Sequence, residues 1–194
     1  MNTADKIVSL VDEMRQNSQE QNMWRNIPLA KECLHLLRNL DDPEEDDFGK
    51  ALACRAIRNQ LPEYDVPRFV LEILYYEQGL LKEADKEGIG DSESLDEVEY
   101  DIQRLNDYID IQKVGVKEFM ELHDRSLNFD PIERTPQWEE MYYEVQQECD
   151  RRLKGSPRGM GFCFAYWSAL RAVLSERGIQ WHSPSEMNPR VMFD

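Results

Sequence analysis

The residues that offer the most chemistry lie near the end of the chain. Between residues 154 and 194 the sequence places two tryptophans, a tyrosine, a histidine and two arginines that could border a pocket or a partner groove. These six are Arg158, Tyr166, Trp167, Trp181, His182 and Arg190. Large aromatic side chains stabilise cores and interfaces alike, so residue type alone leaves both interpretations open. Aromatic residues at helical spacing are mostly core residues, which favours a packed closing segment over a binding surface.

The stretch "SPRGMG" precedes a helical pattern from Gly159 to Arg177. Arg158 and the free N–H groups of a helix N-terminus could bind a phosphate or carboxylate. The spacing is not that of a phosphate-binding P-loop. An ordinary helix start is therefore favoured over an anion site.

Signals for catalysis and for metal binding are weak. Cys163 and His182 form the only cysteine–histidine pair that we expect to converge, but an apolar run around Cys163 keeps a thiol inert. Glu32 and His35 form one E-x-x-H motif, whereas di-iron helical bundles use two. We therefore predict no metal site and no cofactor. A binding protein is favoured over an enzyme.

The net charge of −16 is distributed unevenly. Residues 154–194 hold five basic and three acidic residues, which is +2, so residues 1–153 carry −18. An acidic surface repels phosphate groups, which disfavours direct binding to nucleic acids and to anionic membranes. A protein partner, basic in character, is the class that this charge favours.

The cysteines and the start of the chain predict a cytoplasmic protein. The first residues, "MNTADKIVSLVDEM", do not resemble a secretory signal, and no apolar run is long enough to span a membrane. The cysteines are far apart and form no C-x-x-C pair. They are Cys33, Cys54, Cys149 and Cys163. Isolated cysteines within helical patterns are typical of small core residues in a reduced protein.

Helical periodicity covers nearly the whole chain, and no strand pattern appears. We predict an all-α, single-domain helical bundle of about seven helices over residues 1–194. A subdivision near residues 86–94 is the alternative, and residues 179–194 form a packed capping tail. The helix from Gly159 to Arg177 is apolar around most of its circumference, so we predict that it is the central helix.

Capping residues and one heptad pattern predict the other boundaries. Leu95 to Phe119 shows an a/d pattern that indicates a long helix or a homodimer seam, with Gly115 as its weak point. The helix starts predicted from capping signals are Asn26, the acidic residues 41–47, the Ser94/Glu97 capping box, Thr135-Pro136, Ser156-Pro157 and Ser183-Pro184.

These features predict a protein that acts through protein–protein interaction, as an adaptor, an inhibitor or an immunity-type protein. The alternative is a small-molecule-binding or enzymatic bundle with its pocket between the central helix and the tail. That pocket requires a cavity beside Trp181 and His182. A homodimer through the Leu95–Phe119 seam is the third hypothesis.

Overall fold

The computed structural model describes residues 2–40, 46–90 and 92–193, and it confirms the all-α fold. These residues form ten α-helices and two short 3-10 helices, without any β-strand. Contacts group the chain into two compact units, residues 1–109 and 110–194. The boundary therefore lies after Ile109 and not near residues 86–94, because the helices that flank that loop pack against each other.

The first unit is organised around its fourth helix. Its helices are α1 (Thr3–Gln19), α2 (Asn26–Arg38), α3 (Asp47–Arg58), α4 (Pro67–Lys86) and α5 (Ser92–Ile109), with a 3-10 turn at Met23–Arg25. Helix α4 packs against both α3 and α5, while α1 packs against α2. Its buried side chains include Val70, Ile73, Leu74 and Leu81, whose spacing of three and four residues creates one apolar face.

Asn26 has a different role from the one predicted. The sequence suggested an N-cap, but Asn26 is the first residue of α2 and is fully buried. Its side-chain amide donates to the carbonyl oxygens of Met14 at 3.0 Å and Gln60 at 2.8 Å, and its Oδ1 accepts from Asn17 at 2.9 Å. Because buried polar groups must be paired, this one side chain ties α1 to the end of α3.

A buried ion cluster joins α3, α4 and α5. Glu77, which is 1% exposed, accepts a hydrogen bond from Arg58 at 2.8 Å, and Arg58 also reaches Asp101 at 2.9 Å. Arg104 bonds Asp101 at 2.8 Å and so extends the cluster. Burial raises the pKa of Glu77 and the Arg58 guanidinium opposes that shift. The charges can stay buried because each has a partner of opposite sign.

The second unit consists of shorter elements around one helix pair. Its helices are α6 (Ile111–Val114), α7 (Val116–Leu122), α8 (Pro136–Arg152), α9 (Phe162–Glu176) and α10 (Pro184–Met187), with a 3-10 turn at Pro131–Arg134. Helix α8 packs against α9 and against the 3-10 turn. Within the described residues, no helix is long and apolar enough to cross a membrane.

The predicted long helix from Leu95 to Phe119 is interrupted twice. Helix α5 ends at Ile109, and Gly115 separates α6 from α7 with a φ of 93°. That backbone conformation favours glycine, so Gly115 ends one helix and begins the next. The seam residues Val98, Leu105 and Phe119 are each 0% exposed, so they are core residues of their own units.

Two of the predicted serine or threonine caps are confirmed and two are wrong. Thr135 accepts from the backbone N–H of Trp138 at 3.2 Å, and Ser183 forms a capping box with Glu186. Ser156 begins no helix, because α9 starts at Phe162 after Gly161. Ser94 lies inside α5. Of the acidic start at residues 41–47, residues 41–45 lie outside the described residues, and Asp46 caps α3 through the N–H of Gly49.

Helix α9 is less buried than the sequence predicted. Only Leu170, Val173 and Leu174 are buried among its 15 residues, whereas Phe164 is 47% exposed. Helix α8 packs against α9, and the exposed residues of α9 include the apolar side chains Phe164, Ala165 and Ala172. The apolar circumference of α9 therefore does not make it a central helix.

The buried ion cluster gives a test of what holds the first unit together. Glu77→Ala should lower the free energy of unfolding by about 1.5–3 kcal/mol, because it removes the most buried of the three carboxylates that contact Arg58. Glu72→Ala is the matched control on the same helix, since its ion pair with Arg38 is exposed and should cost less than about 1 kcal/mol. Urea unfolding followed by circular dichroism measures both. Equal losses for the two variants would show that the cluster does not matter.

Candidate functional site

The C-terminal tail is fixed to the second unit by four successive anchors. Trp181 is buried and its indole Nε1 donates to Glu133 at 2.7 Å. Asn188, also buried, donates to the carbonyl oxygen of Asn128 at 2.8 Å. The anchors between them are His182, held by Asp130, and Glu186 of the Ser183 capping box, bonded to Arg171 of α9. Residues 181–188 of the predicted 179–194 tail are held in this way, whereas Val191 and Met192 are exposed.

Asp130 is the acceptor on which this segment converges. Its side chain is 7% exposed, and its Oδ1 accepts from the N–H of Ile132 at 3.0 Å. Its Oδ2 accepts from the backbone N–H of His182 at 2.8 Å and lies 2.7 Å from Nδ1 of the same residue. Because a carboxylate only accepts, we assign the imidazole proton to Nδ1. Nε2 of His182 is then left with a lone pair, in the arrangement that orients catalytic and metal-binding histidines.

A cavity of about 520 Å³ adjoins this histidine. Its lining comes from the end of α9 and from the tail. The lining residues are Arg171, Ser175, Gly178, Ile179, Gln180, Trp181, His182 and Glu186. Its volume falls within the range of small-molecule sites. Arg171 is bonded to Glu186, and this pair together with the imidazole makes the wall polar.

The structure brings together only two of the six predicted site residues. Trp181 and His182 line the cavity, whereas the other four do not. Arg158 pairs with Asp150 at 3.1 Å, and the hydroxyl of Tyr166 donates to Gln146 at 2.8 Å. Arg190 is exposed.

An exposed apolar surface forms on α9. The ring of Trp167 packs edge-on against Phe164 at 5.3 Å between centroids and against Phe193 of the tail at 5.2 Å. Met160 and Met192 are each 95% exposed. We call the ring cluster of Phe164, Trp167 and Phe193, together with the exposed residues near it in the chain, Met160, Val191 and Met192, the α9 apolar surface. Exposed apolar patches of this kind mark interaction sites on many soluble proteins.

Sequence reasoning missed several residues that build these features. Asp130 stood only in a loop, although an aspartate before a proline is a common start for a helical turn, and Glu133 follows in that turn. Phe164 was not among the six predicted site residues, although it lies in the apolar helix from Gly159 to Arg177. No pattern in the sequence marks Arg171, since its role depends on Glu186, which is fifteen positions away.

The motifs weighed for metal binding do not assemble. Glu32 pairs with Lys6 at 2.5 Å, and His35 is exposed on α2. Across the described residues, no group of three or more potential metal ligands comes together. Cys163 does not line the cavity beside His182.

Comparison with known protein families, with curated proteins and with solved structures found no match to this chain. Function is therefore inferred from the contacts, burial and charge of the chain itself. The α9 apolar surface and the cavity beside His182 each contain predicted site residues, Trp167 in the first and Trp181 and His182 in the second.

Three of the four cysteines are chemically protected. Burial raises the pKa of the Cys33 and Cys149 thiols to about 11 and that of Cys54 to about 12. A protonated thiol is a poor nucleophile. Cys163 is partly exposed.

Iodoacetamide should therefore label Cys163 first in the folded protein at neutral pH, with Cys33, Cys54 and Cys149 modified only after unfolding in urea. Mass spectrometry of tryptic peptides measures each site. Rapid labelling of Cys54 without denaturant would contradict the burial of its thiol.

Substitutions of Trp167 on α9 and of Trp181 in the tail should differ in their effect on stability. Trp181→Ala removes a buried ring and the hydrogen bond to Glu133, and should cost about 3–5 kcal/mol. Trp167→Ala should cost less, about 1–2 kcal/mol, because the ring of Trp167 is partly exposed. Urea denaturation of both variants gives the comparison. A larger loss of unfolding free energy in Trp167→Ala than in Trp181→Ala would indicate that α9 is a buried helix.

Proposed function

We propose that this protein acts by binding another protein through the α9 apolar surface. The observation that carries the proposal is the exposure of this surface: Met160 and Met192 are 95% exposed and Phe164 is 47% exposed. A soluble protein gains nothing from showing such side chains to water. Covering one large apolar side chain completely gains about 1.5–3 kcal/mol.

The geometry of the surface supports an interface. Trp167 is held between Phe164 and Phe193, so the aromatic rings are ordered before any partner arrives. Preordered aromatic side chains lose little conformational entropy on binding, and tryptophan is the residue most enriched at binding hot spots. The surface therefore offers a centre for an interface of the adaptor, inhibitor or immunity type.

The cysteines support a cytoplasmic location for this activity, which we propose with it. All four are thiols, and Cys33 and Cys54 are buried in the first unit. Reduced cysteines are typical of compartments with a reducing environment.

Exchange of one exposed aromatic residue tests the interface. Phe164→Gln should abolish capture of the natural partner from a lysate of the source cells, because it removes the most exposed ring of the surface. Tyr100→Gln is the matched control, since Tyr100 is an exposed ring on α5 of the first unit. Affinity capture with quantitative mass spectrometry compares both with the wild type. A partner that both variants retain equally would contradict binding through α9.

A second function, small-molecule binding, has one specific observation in its favour. The hypothesis required a cavity beside Trp181 and His182, and a cavity of about 520 Å³ adjoins both. With Nδ1 bonded to Asp130, Nε2 of His182 can accept a hydrogen bond from a polar ligand, and Arg171 can donate to one.

A thermal-shift screen of polar metabolites tests this second function. A true ligand should raise the melting temperature of the wild type but not of His182→Ala. His35→Ala, which changes an exposed histidine of the first unit, should keep the full shift. A shift that persists in His182→Ala would place the ligand elsewhere.

A further inference from the structure

The charge of the chain reverses sign around the α9 apolar surface. Residues 1–109 contain 12 basic and 25 acidic residues, which is −13, and residues 110–194 contain 11 and 14, which is −3. Within residues 154–194 the balance is five basic to three acidic, which is +2. The acidity from which the sequence predicts a basic partner therefore belongs mainly to the first unit.

Two of the three acidic residues of this segment, Glu176 and Glu186, already have cationic partners. Glu176 accepts from Arg152 at 2.6 Å, and Glu186 is bonded to Arg171 and to its capping box. The Arg152 hydrogen bond lowers the pKa of Glu176, and the hydrogen bonds from Ser183 lower that of Glu186. Neither carboxylate is left to attract a basic partner.

Basic residues precede both chain segments that form the surface. Lys154 and Arg158 come just before Met160, and Arg190 comes just before Val191. Lys154 and Arg190 form no ion pair with any of the described residues, whereas Arg158 is paired with Asp150 at 3.1 Å and lies over the ring of Phe162 at 5.5 Å. The α9 apolar surface therefore has a cationic margin on an otherwise acidic protein.

We infer that the partner docks here with an amphipathic segment that carries an apolar stripe flanked by acidic residues. This inference rests on the proposed function and names the chemistry of its partner. Apolar side chains of the segment would cover Phe164 and Trp167, as in helix-in-groove recognition. Its carboxylates would meet Arg158 and Arg190, which selects against basic segments by like-charge repulsion.

Two synthetic helical peptides test the sign of the charge. Both carry the same leucine stripe at positions i, i+3, i+4 and i+7, and the remaining polar positions are glutamate in one and lysine in the other. Fluorescence anisotropy with the full-length protein gives their dissociation constants. The protein variants are Phe164→Gln, Arg158→Glu with Arg190→Glu, and the milder Arg158→Gln with Arg190→Gln. Far-UV circular dichroism checks that each variant is folded.

We expect the glutamate peptide to bind the wild type, to lose binding in Phe164→Gln, and to weaken about tenfold or more in the charge-reversed variant. The glutamine variant should give a smaller loss of the same sign. The lysine peptide can bind the acidic first unit, so only the part of its binding that Phe164→Gln removes reports on the α9 apolar surface.

Several results would overturn the inference. They are an equal or stronger Phe164-dependent affinity for the lysine peptide, no binding of either peptide to the wild type, or Phe164-dependent binding of a single-stranded oligonucleotide, which also combines basic and aromatic contacts. Loss of binding in Phe164→Gln with no change in either arginine variant would refute the acidic chemistry while leaving the proposed protein interface intact. Failure of that interface itself would appear separately, in the capture comparison with Tyr100→Gln.

Discussion

Asp130 is the acceptor on which the C-terminal part of the second unit depends. Its buried carboxylate receives N–H groups from two segments, one that follows it directly in the 3-10 turn and one that lies fifty-two positions later. A buried carboxylate is costly unless its oxygens are satisfied, and the tail supplies two of the three contacts. The same anchor orients His182 toward the cavity and leads the chain on toward Phe193, which packs on Trp167. The positions of the tail, of the cavity wall and of the α9 apolar surface therefore all depend on the contacts of Asp130.

The two units solve the problem of internal charge in different ways. The first unit buries an ion cluster of Arg58, Glu77 and Asp101 between three helices. The second keeps most of its ion pairs at the surface, as in the bond between Arg152 and Glu176, and Asp130 is the one buried carboxylate among its described residues. A buried network fixes the register of the helices that share it. In the second unit, the side chains of the α9 apolar surface remain exposed to solvent although the tail is anchored. They can therefore contact a partner.

The sequence predicted the all-α class and many of the helix limits because these depend on local periodicity and capping. Thr135 and Ser183 are examples, since a cap needs only neighbouring residues. Asn26 and Asp130 could not be assigned in this way, because their partners lie far along the chain. The prediction that α9 is the central helix was wrong for a different reason. Apolar side chains that a partner would cover look the same in a sequence as those that the core covers.

The long sequence separation of the tail contacts has a consequence during synthesis. The bonds from Asn128 to Asn188 and from Glu133 to Trp181 join residues 60 and 48 positions apart. They can form only after Trp181 and Asn188 have left the ribosome, whereas every contact within the first unit is available once Ile109 has emerged. Domains generally fold as units in the order of their synthesis. The nascent chain would therefore carry a folded, strongly acidic first unit before the contacts between α9 and the tail have formed.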